Sequence, residues 1–270
     1  MSDPNVPFRI VPASVVAYSL AHGLLSRYVA PGSQKLLLKA ISGAHAAGMT
    51  LAATLALANS PLCPYSEQIR SGETYYRLDG NLDDSHNAMI QEQSTLANAI
   101  TAWETGYLLN DTWRMIRYTS SGSSPRGFLQ SVMAAAKVQP FEFAHHTGLA
   151  TALLYLQYYV RRGNERGMWI IVALTLMNAS TPLLQIRSCA AHGGRRFKFL
   201  DIAFALAFAL SRMGTLFWIL QRYGAHHGLT AWTAYLKLRL PCKVGTGAIF
   251  GLNTAWWLLL LRSIGRRHQR

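Results

Sequence analysis

The sequence contains little charge: only 14% of its 270 residues are Asp, Glu, Lys or Arg, whereas 50% are hydrophobic. Soluble globular domains carry roughly one quarter charged residues, so this chain has too little ionic surface to expose most of its length to water. Its charges stand in short clusters between apolar runs, each near the ~20 residues that a helix needs to cross about 30 Å of hydrocarbon. The scarcity of charge argues against a soluble domain and predicts an all-α, polytopic membrane helix bundle.

Three further absences narrow the class of protein. The cysteines Cys63, Cys189 and Cys242 are widely separated, so neither a disulfide framework nor a zinc site is indicated. The nine histidines include only two adjacent pairs, which excludes the clustered histidines of a di-iron lipid hydroxylase. The N-terminus lacks the basic region and cleavage site of a secretory signal, so we expect the first apolar stretch to be retained as a span. We therefore expect no metal and no resident cofactor.

The net charge is +14, and the basic residues lie at the ends of apolar runs. That arrangement serves orientation in a membrane and contact with anionic headgroups, so nucleic acid is excluded as a partner and membrane lipids are predicted. The sequence leaves a homo-oligomer open.

Apolar runs predict about seven transmembrane helices, and two further stretches, 127–138 and 231–240, are predicted to lie along the interface. The predicted spans are residues 10–30, 37–60, 95–117, 141–160, 168–187, 198–221 and 244–262.

These runs divide the chain into an N-terminal segment with the first span (1–36), a membrane domain (37–262) and a basic tail (263–270). The stretch 61–93 carries six acidic residues against two arginines, and we assign this acidic loop to the lumen. Alternation then places the tail and the C-terminus in the cytosol, as the positive-inside rule favours.

Polar residues within the spans are the candidate site, because a charge at membrane depth costs at least ~2.5 kcal/mol and suggests function by default. Glu104, Tyr107 and Asp111 fall on one face of the third span. Glu142 stands one turn before His145 and His146, and since adjacent residues point about 100° apart, only one imidazole can face a given atom. The alternative for such residues is interhelical hydrogen bonding that merely holds the bundle.

The fifth span carries Asn178, Ser180, Thr181 and Arg187, and Pro182 is predicted to kink it. In the sixth span, Asp201 and Arg212 are too far apart along the helix to pair with each other. His226 and His227, which lie between glycines, are predicted to face solvent or headgroups.

Three segments, Gly106-Tyr107-Leu-Leu-Asn-Asp111, His145-His146 and Ser180-Thr181-Pro182 with Arg187, resemble in order and spacing the TLC domain, named after TRAM, Lag and CLN proteins. The resemblance covers roughly residues 37–262 and implies a lipid-related function in the endoplasmic reticulum. Two departures stand out. Asn178 replaces an acidic residue of the family pattern, and the His-Asp-x-x-Ser-Asp segment of ceramide synthases is missing.

Two functions follow from the residues and the resemblance. In the first, the protein acts in membrane lipid homeostasis and binds a lipid in an intramembrane polar pocket. In the second, it is a lipid acyltransferase with acyl-CoA as co-substrate, in which His145 or His146 acts as nucleophile or general base and Asp111 and Tyr107 orient it. The predicted substrate-binding residues are Tyr107, Glu104, Glu142, Asn178, Ser180, Thr181 and Arg187. A transporter or a cargo receptor of the endoplasmic reticulum is a third alternative.

Overall fold

The structure is a computed structural model that describes residues 6–30, 33–60, 82–120, 127–195 and 197–268. Within these ranges the chain is helical and contains no β-strand, so the predicted all-α class is confirmed. Most of the predicted acidic loop, including Glu67, Glu73 and Asp79, lies outside the described residues, as does Cys63.

The helices follow one another with short connections, and two of the long ones change helix type partway. They are α1 (Val6–Leu25), α2 (Gln34–Ala58), α3 (Ala88–Gln91), α4 (Thr95–Ser120), α5 (Phe128–Val138), α6 (Pro140–Arg161), α7 (Met168–Thr175), a 3-10 helix (Leu176–Ser180), α8 (Thr181–His192), α9 (Lys198–Phe208), a π-helix (Ala209–Gly214), α10 (Thr215–His226), α11 (Ala231–Lys237) and α12 (Leu240–His268).

Each of the seven predicted spans coincides with a long helix of the described chain. Four helices are apolar and long enough to cross a membrane, namely Leu36–Ala58, Met168–His192, Lys198–His226 and Leu240–Arg266. The other three, α1, α4 and α6, contain 20, 26 and 22 residues. At 1.5 Å per residue they are about 30–39 Å long. Within α1, Arg9–Leu25 is a shorter apolar helix, whereas α4 and α6 contain more polar side chains.

The first of two compact units combines Met1–Pro31 with Gln93–Glu165. Its centre is α4, which packs against α1, α5 and α6. The closest approach is at Gly106, where a Cβ would stand 2.5 Å from the Cβ of Ser14 and 2.6 Å from the carbonyl oxygen of Val11. The Ser14 hydroxyl donates a hydrogen bond to the Trp103 carbonyl oxygen at 2.8 Å. Glycine is therefore required for α1 to lie this close to α4.

The second unit combines Gly32–Glu92 with Arg166–Arg270 and contains all four apolar spans. In it α2 packs against α7 and α8, α11 folds back on α10, and α12 lies along α9 and the π-helix. Its core includes Met89, Trp169, Ile219, Tyr223 and Ala234. Each unit thus combines two separate stretches of the sequence, and the predicted division at residues 36 and 262 stays a prediction.

Two breaks in regular α-helix lie next to each other inside the second unit. The 3-10 helix Leu176–Ser180 ends just before Pro182, which has no backbone N–H to continue an α-helical ladder. Proline thus accounts for the interruption that the sequence indicated. The π-helix Ala209–Gly214 packs against the 3-10 helix and had no counterpart in the sequence analysis.

Candidate functional site

In the first unit, the packing of α4 against α6 brings Asp111 and His146 together. Nδ1 of His146 lies 3.0 Å from Oδ2 of Asp111, which is the distance of an ion pair. The two side chains are 23% and 24% exposed, whereas the Nδ1 atom of His146 is itself buried and has no aligned hydrogen-bond partner, so the contact is one of charge. The structure therefore joins two residues that stand 35 positions apart in the sequence, since α4 and α6 run side by side.

Negative charge surrounds this imidazole. Besides Asp111, the carboxylates of Glu142 and Glu104 act on His146 electrostatically. The His145 ring meets the His146 ring edge-on, with 5.7 Å between centroids.

Tyr107 lies between Glu104 and Asp111 in sequence but takes a different structural role. It is 7% exposed and packs with Leu108 and Ala150. Its ring meets that of Tyr18 on α1 edge-on at 5.1 Å, and the Trp103 indole N–H donates a hydrogen bond to the Tyr18 hydroxyl at 3.0 Å. These contacts fasten α1 to α4.

The predicted residues of the fifth span belong to the second unit. Ser180 is 1% exposed at the end of the 3-10 helix, and Asn178 lies in the same turn. Arg187 on α8 donates a hydrogen bond from Nε to Asp201 on α9 and lies over the Phe204 ring at 5.6 Å. This ion pair matches the alternative considered for Arg187, in which it holds neighbouring helices together.

A cavity of about 340 Å³ opens beside that ion pair. Its polar wall includes Lys39, Arg187, His192, Arg195 and Asp201, so cations outnumber the single carboxylate. The cavity can receive an anionic group near the ends of α8 and α9.

The sequence analysis missed a second aspartate–histidine contact, and the expectation that His227 faces solvent or headgroups is wrong. His227 is 2% exposed, and its Nε2 lies 3.2 Å from Oδ1 of Asp84. The Tyr223 hydroxyl donates to Oδ2 of Asp84 at 3.2 Å, and the amide of Asn87 donates to Oδ1 at 3.3 Å. Gly228, with φ of 65°, turns the chain after α10 so that His227 points inward.

Asp84 is held as the anion. Burial would by itself raise the pKa of this carboxyl, but hydrogen bonds from His227, Tyr223 and Asn87 outweigh burial and lower the pKa below its ordinary value. No local sequence signal points to this cluster, because 143 residues separate Asp84 from His227.

The apolar helices, four of them long enough to span a membrane among the described residues, define an integral membrane helix bundle. The family model of the TLC domain matches residues 38–262, so the chain belongs to the TLC-domain family and the resemblance is confirmed. Membership assigns the protein to membrane lipid metabolism in general. No curated protein and no solved structure matches the chain.

The matched range begins after α1. Nevertheless α1 supplies Tyr18 and Ser14, which pack on the helix that carries Asp111. The first unit therefore combines helices that lie within the matched range with α1, which precedes that range and packs against α4.

Proposed function

We propose that the protein acts in membrane lipid homeostasis by binding the polar group of a lipid at Asp111 and His146. The contact between these two side chains carries the proposal, because it combines a carboxylate, an imidazole and partial exposure on helices of a membrane protein. Carboxylates accept hydrogen bonds and imidazole both donates and accepts them. Together with the nearby Glu142 and Glu104, the site suits a lipid that bears an amine or a hydroxyl.

The test compares lipids that copurify with the wild type, Asp111→Asn, His146→Ala and Asp84→Asn in mild detergent, measured by mass spectrometry. Hydrogen bonds to charged groups contribute about 1.5–3 kcal/mol, so we expect retention of the specific lipid to fall about tenfold or more in the two site variants. Asp84→Asn is the matched control, since it removes an aspartate that contacts a histidine elsewhere. The proposal fails if all four proteins carry the same lipids in the same amounts.

A second candidate function, acyl transfer, is favoured by the same contact, because a carboxylate beside an imidazole is how enzymes orient a general base. His146 would take the proton from an amine or hydroxyl of the acceptor lipid. The acceptor would attack the thioester carbonyl of acyl-CoA, and the CoA thiolate would leave and take up a proton.

Incubation with labelled acyl-CoA separates the two functions. A labelled lipid that forms with the wild type and disappears in the His145→Ala/His146→Ala double variant would establish acyl transfer. A specific bound lipid without turnover would leave binding alone.

The proposed location is the membrane of the endoplasmic reticulum with the C-terminus in the cytosol, and the family resemblance and the basic tail support it. A C-terminal tag should then be removed by protease added to intact microsomes, whereas a protected tag would reverse the orientation.

A further inference from the structure

The cavity beside the ion pair of Arg187 and Asp201 lies where three helices of the second unit meet. Lys39 belongs to α2, Arg187 to α8, and Asp201 to the first turn of α9. Arg195 and Phe197 line the cavity from the connection between α8 and α9. Its volume of about 340 Å³ falls at the lower end of the range of about 300–1,000 Å³ in which ligand pockets occur. The cavity therefore has room for the polar headgroup of a lipid.

Two positive charges in the wall of this cavity are not offset by a carboxylate. Arg187 donates a hydrogen bond from Nε to Asp201, so this cation and this anion balance each other. Within the described part of the chain, neither Lys39 nor Arg195 forms an ion pair. The cations of Lys39 and Arg195 are therefore available to an anion that enters the cavity.

The turn that ends α8 holds Arg195 at the cavity. The backbone N–H of Arg195 donates to the carbonyl oxygen of Ala190 at 3.0 Å, and that of Gly194 donates to the carbonyl oxygen of Ala191 at 3.2 Å. Gly194 has a φ of 73°, the left-handed conformation that commonly closes a helix in this way. These hydrogen bonds satisfy two carbonyl oxygens that would otherwise repel an anion at the end of α8.

We propose that this cavity binds the phosphomonoester headgroup of an anionic lipid. A phosphomonoester carries a charge of about −1.5 to −2 at neutral pH, which matches the two cations that no carboxylate offsets, whereas a phosphodiester carries less charge. Lys39 and Arg195 are the donors to its oxygens, and hydrogen bonds between such cations and phosphate are among the strong ones in proteins.

The surroundings of the cavity favour a lipid over a soluble phosphate compound. The cavity lies where the apolar span Met168–His192 ends and the apolar span Lys198–His226 begins, and basic pockets between transmembrane helices bind anionic headgroups. Phe197 and Phe199 are 42% and 65% exposed, and their ring centroids are 5.8 Å apart. Exposed apolar rings at the end of a span suit the boundary between headgroups and acyl chains.

This site lies wholly in the second unit and goes beyond the proposed function at Asp111 and His146. The probes are dioleoyl phosphatidic acid, dioleoyl phosphatidylglycerol and glycerol 3-phosphate, each added to delipidated protein in mild detergent. Phosphatidylglycerol keeps the acyl chains but has a phosphodiester, whereas glycerol 3-phosphate keeps the phosphomonoester but has no acyl chain. Binding is measured by native mass spectrometry and by the shift of the unfolding temperature. We expect phosphatidic acid to bind at least about tenfold more tightly than either, as the loss of one charge-assisted hydrogen bond implies.

The variants test the residues. The double variant Lys39→Gln/Arg195→Gln should weaken phosphatidic acid binding about tenfold or more. The matched control is Arg161→Gln/Arg162→Gln, which removes the same amount of charge at the end of α6 in the first unit and should bind like the wild type. Asp111→Asn should also keep phosphatidic acid binding, so that either lipid site can fail without the other.

Three results would overturn the proposal: equal binding of phosphatidic acid and phosphatidylglycerol, equal binding of phosphatidic acid and glycerol 3-phosphate, or unchanged phosphatidic acid binding in Lys39→Gln/Arg195→Gln. The second result would mean that the cavity binds soluble phosphate compounds. The first two need only the wild type, so they decide the matter even if a variant does not fold.

Discussion

Two contacts in this protein use the same pair of side chains in different settings. In each, an aspartate meets the second residue of a His-His dipeptide, as Asp111 meets His146 and Asp84 meets His227. His227 is 2% exposed and shares Asp84 with Tyr223, whereas His146 is 23% exposed among further carboxylates. The difference teaches that the dipeptide does not determine the surroundings of the contact: the imidazole of His227 is buried beside an aspartate that also accepts from Tyr223, whereas the imidazole of His146 is partly exposed.

The largest expected difference between the two aspartate–histidine contacts is in their contribution to the stability of the fold. Asp84→Asn removes the charge that accepts from both His227 and Tyr223, and leaving buried partners unsatisfied costs about 1–3 kcal/mol. Asp111→Asn changes a pair whose side chains are 23% and 24% exposed and in which Nδ1 of His146 makes no aligned hydrogen bond, so we expect a smaller loss. We expect thermal unfolding in detergent to show the larger loss for Asp84→Asn. Equal losses would mean that the two contacts have the same structural role.

A second test uses pH. The pKa of Asp84 is lower in the folded protein than in the unfolded chain, so its stabilisation is fully present above the unfolded value of about 3.9 and is lost as pH falls through the folded value. The difference in unfolding temperature between the wild type and Asp84→Asn should therefore be constant above about pH 5 and shrink towards pH 3. If the difference in unfolding temperature does not change over this range, the charge of Asp84 does not stabilise the folded protein.

The smallest expected effects concern the first histidine of each dipeptide. His145 and His226 each meet the neighbouring ring edge-on, and neither is the histidine that meets the aspartate. We expect His145→Ala and His226→Ala to change stability by about 0.5 kcal/mol or less and to leave copurified lipid unchanged, in contrast to His146→Ala. Loss of lipid in His145→Ala would reassign the site to the first histidine.

Much of the fold follows from hydropathy, because every predicted span coincides with a helix. Helix type did not follow from it: Pro182 explains the 3-10 segment, but Ala209–Gly214 contains no residue that demands a π-helix. Ser211, Arg212 and Gly214 in this segment all occur in ordinary α-helices, so only packing with neighbouring helices distinguishes it.

The candidate site could be predicted as a set of residues and in one contact, since Asp111 was expected to orient one of the two adjacent histidines, but the sequence left open which one. Asp111 and His146 were recognised as polar residues in spans, and the packing of α4 on α6 then brought them together. Tyr107 is predicted to lie on the same face of the third span as Asp111. In the structure its ring instead packs against Tyr18 of α1 in a cluster of aromatic rings. His227 was misread because a histidine next to glycine is typical of an exposed turn, and its partner is remote in sequence.

The π-helix also sets the rotational phase of the span that contains it. A π turn holds one residue more than an α turn, and each residue of an α-helix advances the direction of a side chain by about 100°. Deleting one residue from Ala209–Gly214 would let the span form a continuous α-helix. The side chains of α9 would then be rotated about the helix axis relative to those of α10. Asp201 would then turn away from Arg187, so the extra residue acts as a spacer that keeps both ends of one helix in register with different neighbours.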